Sequence, residues 1–210
     1  MSYTKIQNLI YRIVGNRGNR SVFHAVFFRL SGFVLFGLVS ALIFKSCGAE
    51  FDFLSLPAYY LTEIILWSFF LSMFFIVVAY INASNSLPGH YPQFKIARWT
   101  LFYKILTYTT WILYLLGYEF MFRGILLFGI VEEMGYYPTI IFNVLFYAFV
   151  HIPKGRKEVL GCLLLGPVLC VLALKTGSII IPVVVHIALC LANEYFSIRA
   201  EILNRKRILS

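Results

Sequence analysis

The sequence predicts an all-α membrane protein, a polytopic bundle of about six transmembrane helices. Of its 210 residues, 60% are hydrophobic and only 13% are charged, and the mean hydropathy is +0.83. A water-soluble domain is about 25% charged, so this chain has too little charge to cover a surface that faces water. A membrane-spanning helix needs about 20 mostly apolar residues, and the chain contains several stretches of that length.

Six apolar runs, separated by short polar or Gly- and Pro-containing breaks, mark the expected helices. They lie at about 22–45, 58–82, 99–131, 137–152, 158–175 and 178–198. The third is longer than a perpendicular span, so we expect it to tilt, to break near Gly117, or to begin with an interfacial stretch around Lys104. In the fifth, Gly166-Pro167 should kink the helix. The expected organisation is one membrane domain at 22–198, with a basic cytoplasmic segment at 1–21 and a basic tail at 199–210.

Lysine and arginine segregate to one side of the expected membrane. The N-terminal segment, the second and fourth loops and the tail hold Lys5, Arg12, Arg17, Arg20, Lys95, Arg98, Lys154, Arg156, Lys157, Arg199, Arg205, Lys206 and Arg207. The alternate loops hold only Lys45 and Lys175. The positive-inside rule then places both termini in the cytoplasm. The net charge of +9 therefore reflects topology and not nucleic-acid binding, and we expect the plasma membrane of a bacterium as the location.

Ionisable side chains inside the bilayer are costly, so each is a candidate for function. Arg29 and Lys104 lie near expected cytoplasmic ends, where long side chains can extend to the interface. Glu63 lies about two turns into the second span, where it either bonds to a neighbouring helix or belongs to a site. The pair Glu132-Glu133 falls in an outer loop and is expected to be solvated. The four cysteines lack CxxC spacing and are expected to be packing residues.

A stronger set consists of Glu119, Arg123, His151 and His186. Glu119 and Arg123 are spaced i,i+4, so that they can pair on one helix face. Glu119 and His151 each lie about 13 residues from the outer loop, or roughly 20 Å at 1.5 Å per residue, on adjacent antiparallel helices. The two side chains can therefore meet. His186 lies about eight residues into the last span, and Asn193 follows on its face.

This set suits hydrolysis of a peptide bond without a covalent intermediate. A carboxylate and a histidine can orient and deprotonate a water, while a second histidine and an amide can donate to the oxyanion. The same residue types can bind zinc, although the chain has no HExxH helix, and spacing does not decide between the two. We expect direct activation of water without a metal ion.

Four short motifs resemble, in order, those of the CAAX-protease and bacteriocin-processing (CPBP) family of intramembrane endopeptidases. Tyr118–Gly124 resembles EExxxRG, and Tyr147–His151 resembles FxxxH. Leu174–Ser178 resembles LRTGS, and His186 stands where HxxxN begins. The resemblance covers about 100–190. It implies a glutamate-type membrane endopeptidase that acts on a hydrophobic peptide or membrane-protein substrate, with Glu119, Arg123, His151 and His186 as the catalytic set.

Two positions depart from the family pattern. The first of the paired glutamates is Tyr118, and the asparagine of HxxxN is Cys190, with Asn193 following it. A branch with an aromatic residue before a single glutamate resembles this chain, including Lys154 three residues after His151. Glu119 then acts as the base, or Glu158 contributes from the start of the fifth span.

Two other functions compete with catalysis. The first is an inactive relative that binds peptides or acts as an immunity-type membrane protein, and Tyr118 and Cys190 are the departures that favour it. The second is a proton-coupled transporter that uses the Glu-His-His set as a relay. Transporters commonly show inverted repeats, and none is visible in this sequence.

Overall fold

The structure, a computed structural model, describes residues 17–85 and 91–209. Helices account for 87% of it, and this part of the chain contains no strand. Most of the expected N-terminal segment, including Lys5 and Arg12, lies outside the described residues. The all-α prediction is therefore confirmed.

The chain forms eight α-helices within the described ranges, two of them continued by π-helical turns. They are α1 Arg17–Gly32, followed by π-helical Phe33–Val39 and α2 Ser40–Ser46, then α3 Leu61–Asn85, α4 Leu101–Glu119, followed by π-helical Phe120–Leu126 and α5 Leu127–Met134, α6 Tyr136–His151, α7 Arg156–Thr176 and α8 Ile180–Leu209. Short 3₁₀ turns at Asp52–Leu54, Ala58–Tyr60 and Ile152–Lys154 complete the connections.

Each of the six apolar runs becomes a helix. Among the described residues, five helical segments are long and apolar enough to span a membrane: 18–46, 52–83, 101–134, 158–176 and 180–205. The sixth, α6, has 16 residues and is about 24 Å long at 1.5 Å per residue. It is shorter than the roughly 30 Å apolar core of a bilayer, and a 3₁₀ turn extends it at its C-terminal end.

The segment from α4 to α5 is the central element of the bundle and the most buried of the five. Thr100 caps its start by accepting a hydrogen bond from the Tyr103 backbone N–H. Its 34 residues would extend about 50 Å, so it exceeds the apolar core of a bilayer, as its sequence indicated. The helix does not break at Gly117. It continues and changes to π-helical geometry at Phe120.

Gly117 instead allows two backbones to approach. A Cβ atom at this position would lie 3.1 Å from Gly37 N and 3.1 Å from Phe33 Cα, which belong to the π-helical turn after α1. Small residues permit such close crossings between membrane helices. Gly117 therefore fixes the distance between the first helix and the element that carries the candidate site.

The remaining helices pack in pairs around this element. Helix α3 packs along α8, α6 along α7, and α1 against α4. Pro167 lies inside α7, which continues as a single helix on both sides of it. The helix is terminated by Gly177 in the left-handed conformation, with φ 64°. Large apolar side chains such as Phe70 and Phe74 remain exposed on α3, as expected for a surface that faces lipid.

Candidate active site

The π-helical turn Phe120–Leu126 begins directly after Glu119. A π-helical turn widens the helix and releases a carbonyl from the regular hydrogen-bond pattern. Asn143 Nδ2 on α6 donates to the Phe122 carbonyl at 2.6 Å, and Cys170 Sγ on α7 donates to Asn143 Oδ1 at 3.3 Å. The irregular turn is thus satisfied by two neighbouring helices, which explains how it persists inside the bundle.

Helices α4 and α8 bring Glu119 and His186 into direct contact. His186 Nδ1 lies 2.6 Å from Glu119 Oε1, and Glu119 is completely buried. A carboxylate can only accept, so Nδ1 is the donor. The second carboxylate oxygen, Oε2, is buried and has no hydrogen-bond partner among the described residues. One oxygen is therefore held in place while the other remains available as an acceptor.

Arg123 provides the counter-charge for this carboxylate. Its Nη1 lies 3.5 Å from Glu119 Oε1, and both side chains have no exposed surface. Its guanidinium carbon lies 3.9 Å from the centre of the Tyr147 ring, a cation–π contact. None of its nitrogens has a hydrogen-bond partner within the described part of the chain. The expected i,i+4 pair is therefore present and joined mainly by charge.

His151, at the end of α6, has a partner at each ring nitrogen. Its Nδ1 lies 3.0 Å from the Tyr147 carbonyl, and Lys154 Nζ lies 3.1 Å from its Nε2. A carbonyl only accepts and an ammonium only donates, which assigns the proton of the neutral ring to Nδ1. The carboxylate of Glu119 hydrogen-bonds to His186 and not to His151, so the expected direct contact of Glu119 with His151 is not formed.

Tyr118 links the two histidines. Its hydroxyl lies 3.4 Å from His151 Nδ1, and its ring centre lies 6.0 Å from that of His151 and 5.9 Å from that of His186. The ring also stacks on Phe122 at 4.4 Å. The residue that departs from the paired-glutamate motif thus lies at the centre of the cluster.

Cys190 takes the position one turn after His186. It is buried, and the Tyr91 hydroxyl lies 3.8 Å from its sulfur. Burial, with smaller contributions from Cys190 and Glu158, raises the pKa of Tyr91 well above its ordinary value, so the phenol stays protonated and can donate. Tyr91 lies between α3 and α4, so this part of the connection contacts the cluster at Cys190.

Two expected site residues are not joined to the cluster. Asn193 is half-buried, and Glu158 is half-buried in the first turn of α7. Neither side chain forms a hydrogen bond or an ion pair with any described residue. In residues 17–85 and 91–209, no group of three or more His, Cys, Asp or Glu side chains is arranged to hold a metal ion.

The other ionisable residues singled out in the sequence lie away from this cluster. Glu63 pairs with Lys175 at 2.6 Å, with both side chains exposed, so it joins α3 to α7. Glu132 and Glu133 are exposed, in agreement with the expected solvated pair. Three of the four cysteines are buried and Cys47 is exposed.

Arg29 does not extend to the interface, and that expectation is wrong. Its side chain has no exposed surface. Its Nη1 donates to the Thr107 carbonyl and hydroxyl at 3.0 Å each and to the Thr110 hydroxyl at 3.1 Å, and its Nη2 donates to Gln93 Oε1 at 3.0 Å. The guanidinium also lies 4.1 Å from the centre of the Trp111 ring. These donors and acceptors replace water, so the charge does not need to reach the membrane surface.

Glu194 is the counter-charge of Arg29, and it was not among the residues predicted from the sequence. It is completely buried, accepts from the Thr107 hydroxyl at 2.8 Å and from Trp111 Nε1 at 3.4 Å, and interacts electrostatically with Arg29. Its spacing from His186 was a usable signal, because residues i, i+4 and i+8 share one helix face. A glutamate on that face requires a buried partner, and Arg29 is the arginine at a comparable depth in another span.

Two polar clusters join the antiparallel helices α4 and α8, and the same number of residues separates the clusters on each helix. Glu119 on α4 contacts His186 on α8, while Trp111, eight residues earlier, contacts Glu194, eight residues later. Eight residues correspond to about 12 Å along a helix. The second cluster therefore joins the same two helices at a point closer to the expected cytoplasmic side.

Residues 98–191 match the model of the family described as type II CAAX prenyl endopeptidase, Rce1-like. This segment is similar to that family. The match confirms the resemblance to the CPBP family. It includes Glu119, Arg123, His151 and His186 but neither Arg29 nor Glu194. No curated protein and no solved structure matches the chain.

The family match over residues 98–191 and the membrane-length apolar helices together support a membrane protein of the CAAX-protease type, with a peptide or protein as substrate.

Proposed function

We propose that this protein is an intramembrane endopeptidase in which Glu119 activates the attacking water. One observation carries the proposal: Glu119 is fully buried, its Oε1 is fixed by His186, and its Oε2 is an acceptor without a partner among the described residues. A general base must have a free lone pair within hydrogen-bond reach of the proton that it removes. Glu119 Oε2 meets this requirement.

The proposed reaction uses this oxygen in both proton transfers. Glu119 Oε2 takes a proton from water while the water oxygen bonds to the carbonyl carbon of the scissile peptide. The carbonyl electron pair moves onto its oxygen. When that pair returns and the C–N bond breaks, the proton held by Glu119 passes to the leaving nitrogen. The products are a carboxylic acid and an amine.

The neighbouring residues support these steps in different ways. His186 fixes the orientation of the Glu119 carboxylate by donating a hydrogen bond from Nδ1. Arg123 balances the negative charge of the same carboxylate. Because His186 Nδ1 is already engaged, we assign donation to the oxyanion to the Tyr118 hydroxyl. This group lies beside His151 and within the cluster that surrounds Glu119. Developing charge on the substrate oxygen is thereby stabilised by a donor that is positioned beforehand.

The charges in the cluster favour chemistry without a metal ion. A divalent cation bound to Glu119 would lie against the Arg123 guanidinium, 3.5 Å from Oε1. One bound to His151 Nε2 would displace the Lys154 ammonium at 3.1 Å. Like charges at such distances repel strongly in a medium of low dielectric constant. We therefore propose that no metal participates, and a chelator should leave cleavage unchanged.

An apolar pocket lies next to the helical turn that carries Glu119, although no residue of the cluster lines it. This pocket of about 340 Å³ opens beside Gly117, two residues before Glu119, and is lined by residues that include Phe33, Leu116, Phe120 and Val183. Within the bilayer, an apolar segment in such a pocket is stabilised by van der Waals packing against its walls. We propose that the substrate is a membrane-associated peptide or protein that approaches through the bilayer.

The proposal is tested by comparing membrane proteomes of cells that carry the wild-type protein, Glu119→Gln or Glu133→Gln as the sole copy. Uncleaved precursors should accumulate with Glu119→Gln and not with Glu133→Gln, whose glutamate is exposed at the end of α5. All three proteins must be equally abundant in the membrane. If Glu119→Gln at normal abundance leaves every precursor processed, the catalytic proposal is wrong and a non-catalytic peptide-binding role replaces it.

A further inference from the structure

Lys154 occupies the one nitrogen of His151 that could accept a proton. Lys154 belongs to the 3₁₀ turn Ile152–Lys154, and Gly155 follows with φ 107°, a conformation that favours glycine. This turn places the ammonium 3.1 Å from His151 Nε2. The other ring nitrogen already donates to the Tyr147 carbonyl at 3.0 Å. Both ring nitrogens of His151 are therefore already engaged in hydrogen bonds.

The ammonium of Lys154 has no paired carboxylate in the described part of the chain. Within residues 17–85 and 91–209 no ion pair joins it to a carboxylate, and Glu158, four residues later, forms none with it. Its hydrogen bond goes to a neutral imidazole, which is a weaker partner for a cation than an anion. Glu119 and Arg123 balance each other. Lys154 therefore contributes a positive charge that no described carboxylate pairs with.

Lys154 is also accessible to a ligand. Its side chain is half-buried, whereas Arg123, the other cation beside the histidines, is sealed inside the bundle. The next basic residue, Arg156, is exposed at the start of α7. An anion that enters from this end would meet Lys154 before it meets His151.

We propose that Lys154 binds an oxyanion, a carboxylate or a phosphate group carried on an apolar chain, and that this binding uncovers His151 Nε2. The oxyanion offers the ammonium a charged acceptor in place of the imidazole, so Lys154 moves from His151 to the ligand. The released nitrogen is then free to accept a proton. The binding step stands on the Lys154 contact alone, and the consequence for catalysis rests on the proposed endopeptidase function. The oxyanion belongs either to the substrate, as a carboxylate, or to a lipid, as a phosphate.

The test follows His151 directly and requires no cleavage. The full chain, with isotope-labelled histidine, is placed in uncharged maltoside micelles, and the His151 ring nitrogens are followed by NMR. The chain has four histidines, so a His151→Gln variant identifies the signal. Laurate and dodecyl phosphate are titrated separately at a pH that keeps both ionised, with dodecanamide as the uncharged probe of equal chain length. Lys154→Met, Lys154→Arg and Arg156→Gln are measured in parallel.

We expect a saturable shift of the His151 Nε2 signal with laurate, dodecyl phosphate or both, and none with dodecanamide. A response to laurate assigns the anion to a carboxylate of the substrate, and a response to dodecyl phosphate alone assigns it to a lipid headgroup. The response should persist in Lys154→Arg and Arg156→Gln and disappear in Lys154→Met. No response of the wild type to either anion, or an equal response in Lys154→Met, overturns the proposal. Neither result depends on whether the protein cleaves peptides.

Discussion

His186 Nδ1 lies 2.6 Å from Glu119 Oε1, although 67 positions separate the two residues in the chain. This bond joins α4 to α8 at the point where α4 changes into a π-helical turn. It decides which histidine orients the proposed base. Both members are buried, and the Arg123 guanidinium lies 3.5 Å from the same carboxylate oxygen and balances its charge.

Replacement of Arg123 by methionine should strongly destabilise the protein, because the Glu119 charge would remain buried without its counter-charge. Breaking a buried pair typically costs about 3–5 kcal/mol. The double variant Arg123→Met, Glu119→Gln should recover most of this loss, because it removes both charges. Thermal unfolding of all four proteins in detergent measures the interaction. If Arg123→Met and the double variant are equally stable, the two charges do not balance each other.

Tyr118→Phe should slow cleavage by about 10²–10³-fold, the usual effect of losing one oxyanion donor. The ring that stacks on Phe122 at 4.4 Å is retained, so membrane abundance should not change. Tyr114→Phe is the matched control, because Tyr114 is also buried on α4 and no hydrogen bond from its hydroxyl to a described residue is formed. The measurement is the cleavage rate of a precursor found to accumulate with Glu119→Gln. A normal rate in Tyr118→Phe would remove this residue from the proposed mechanism.

Glu194→Ala should destabilise the protein by about 3–5 kcal/mol, because Arg29 would keep a buried charge without compensation. Glu63→Ala should have little effect, since its pair with Lys175 is exposed and solvent screens it. Unfolding temperatures of the two variants test the contrast. A similar loss in both would show that burial does not distinguish the two pairs.

Gly117→Ala should disturb both stability and cleavage. The added Cβ would lie 3.1 Å from Gly37 N and Phe33 Cα, both backbone atoms, so the two helices must separate. Glu119 lies two residues later and would move with them. Gly129→Ala is the control, because nothing lies within 4 Å of its Cβ position and alanine favours the helix. Unchanged melting temperature and cleavage in Gly117→Ala would show that this crossing tolerates a methyl group.

The expected topology can be tested with one native and one introduced cysteine. Cys47 is exposed between the first and second spans, whereas the other three cysteines are buried and should not react. A membrane-impermeant thiol reagent should label Cys47 from outside the cell. In Cys47→Ser, Arg156→Cys, labelling should require access from the cytoplasm, because Arg156 lies at the start of α7 on the opposite side. Labelling of both from the same side would exclude the arrangement with both termini inside.

The sequence by itself determined the class of fold and the approximate position of each membrane-length segment, because apolar length and composition are local properties. It did not predict that the last helix extends beyond residue 198 to Leu209. It identified Glu119, Arg123, His151 and His186, since intramembrane ionisable residues are few and costly. The i,i+4 pair of Glu119 with Arg123 followed from helix geometry alone.

Only the tertiary structure decided which of these residues meet. The rotation of each helix about its axis and its choice of neighbour depend on packing between distant segments. This packing joins Glu119 to His186 and not to His151, and it buries Arg29 with Glu194. The π-helical turn after Glu119 is likewise non-local, because Asn143, on another helix, satisfies the carbonyl that the turn releases. These contacts depend on the free energy of the whole packed bundle, so they cannot be derived from any one segment of the sequence.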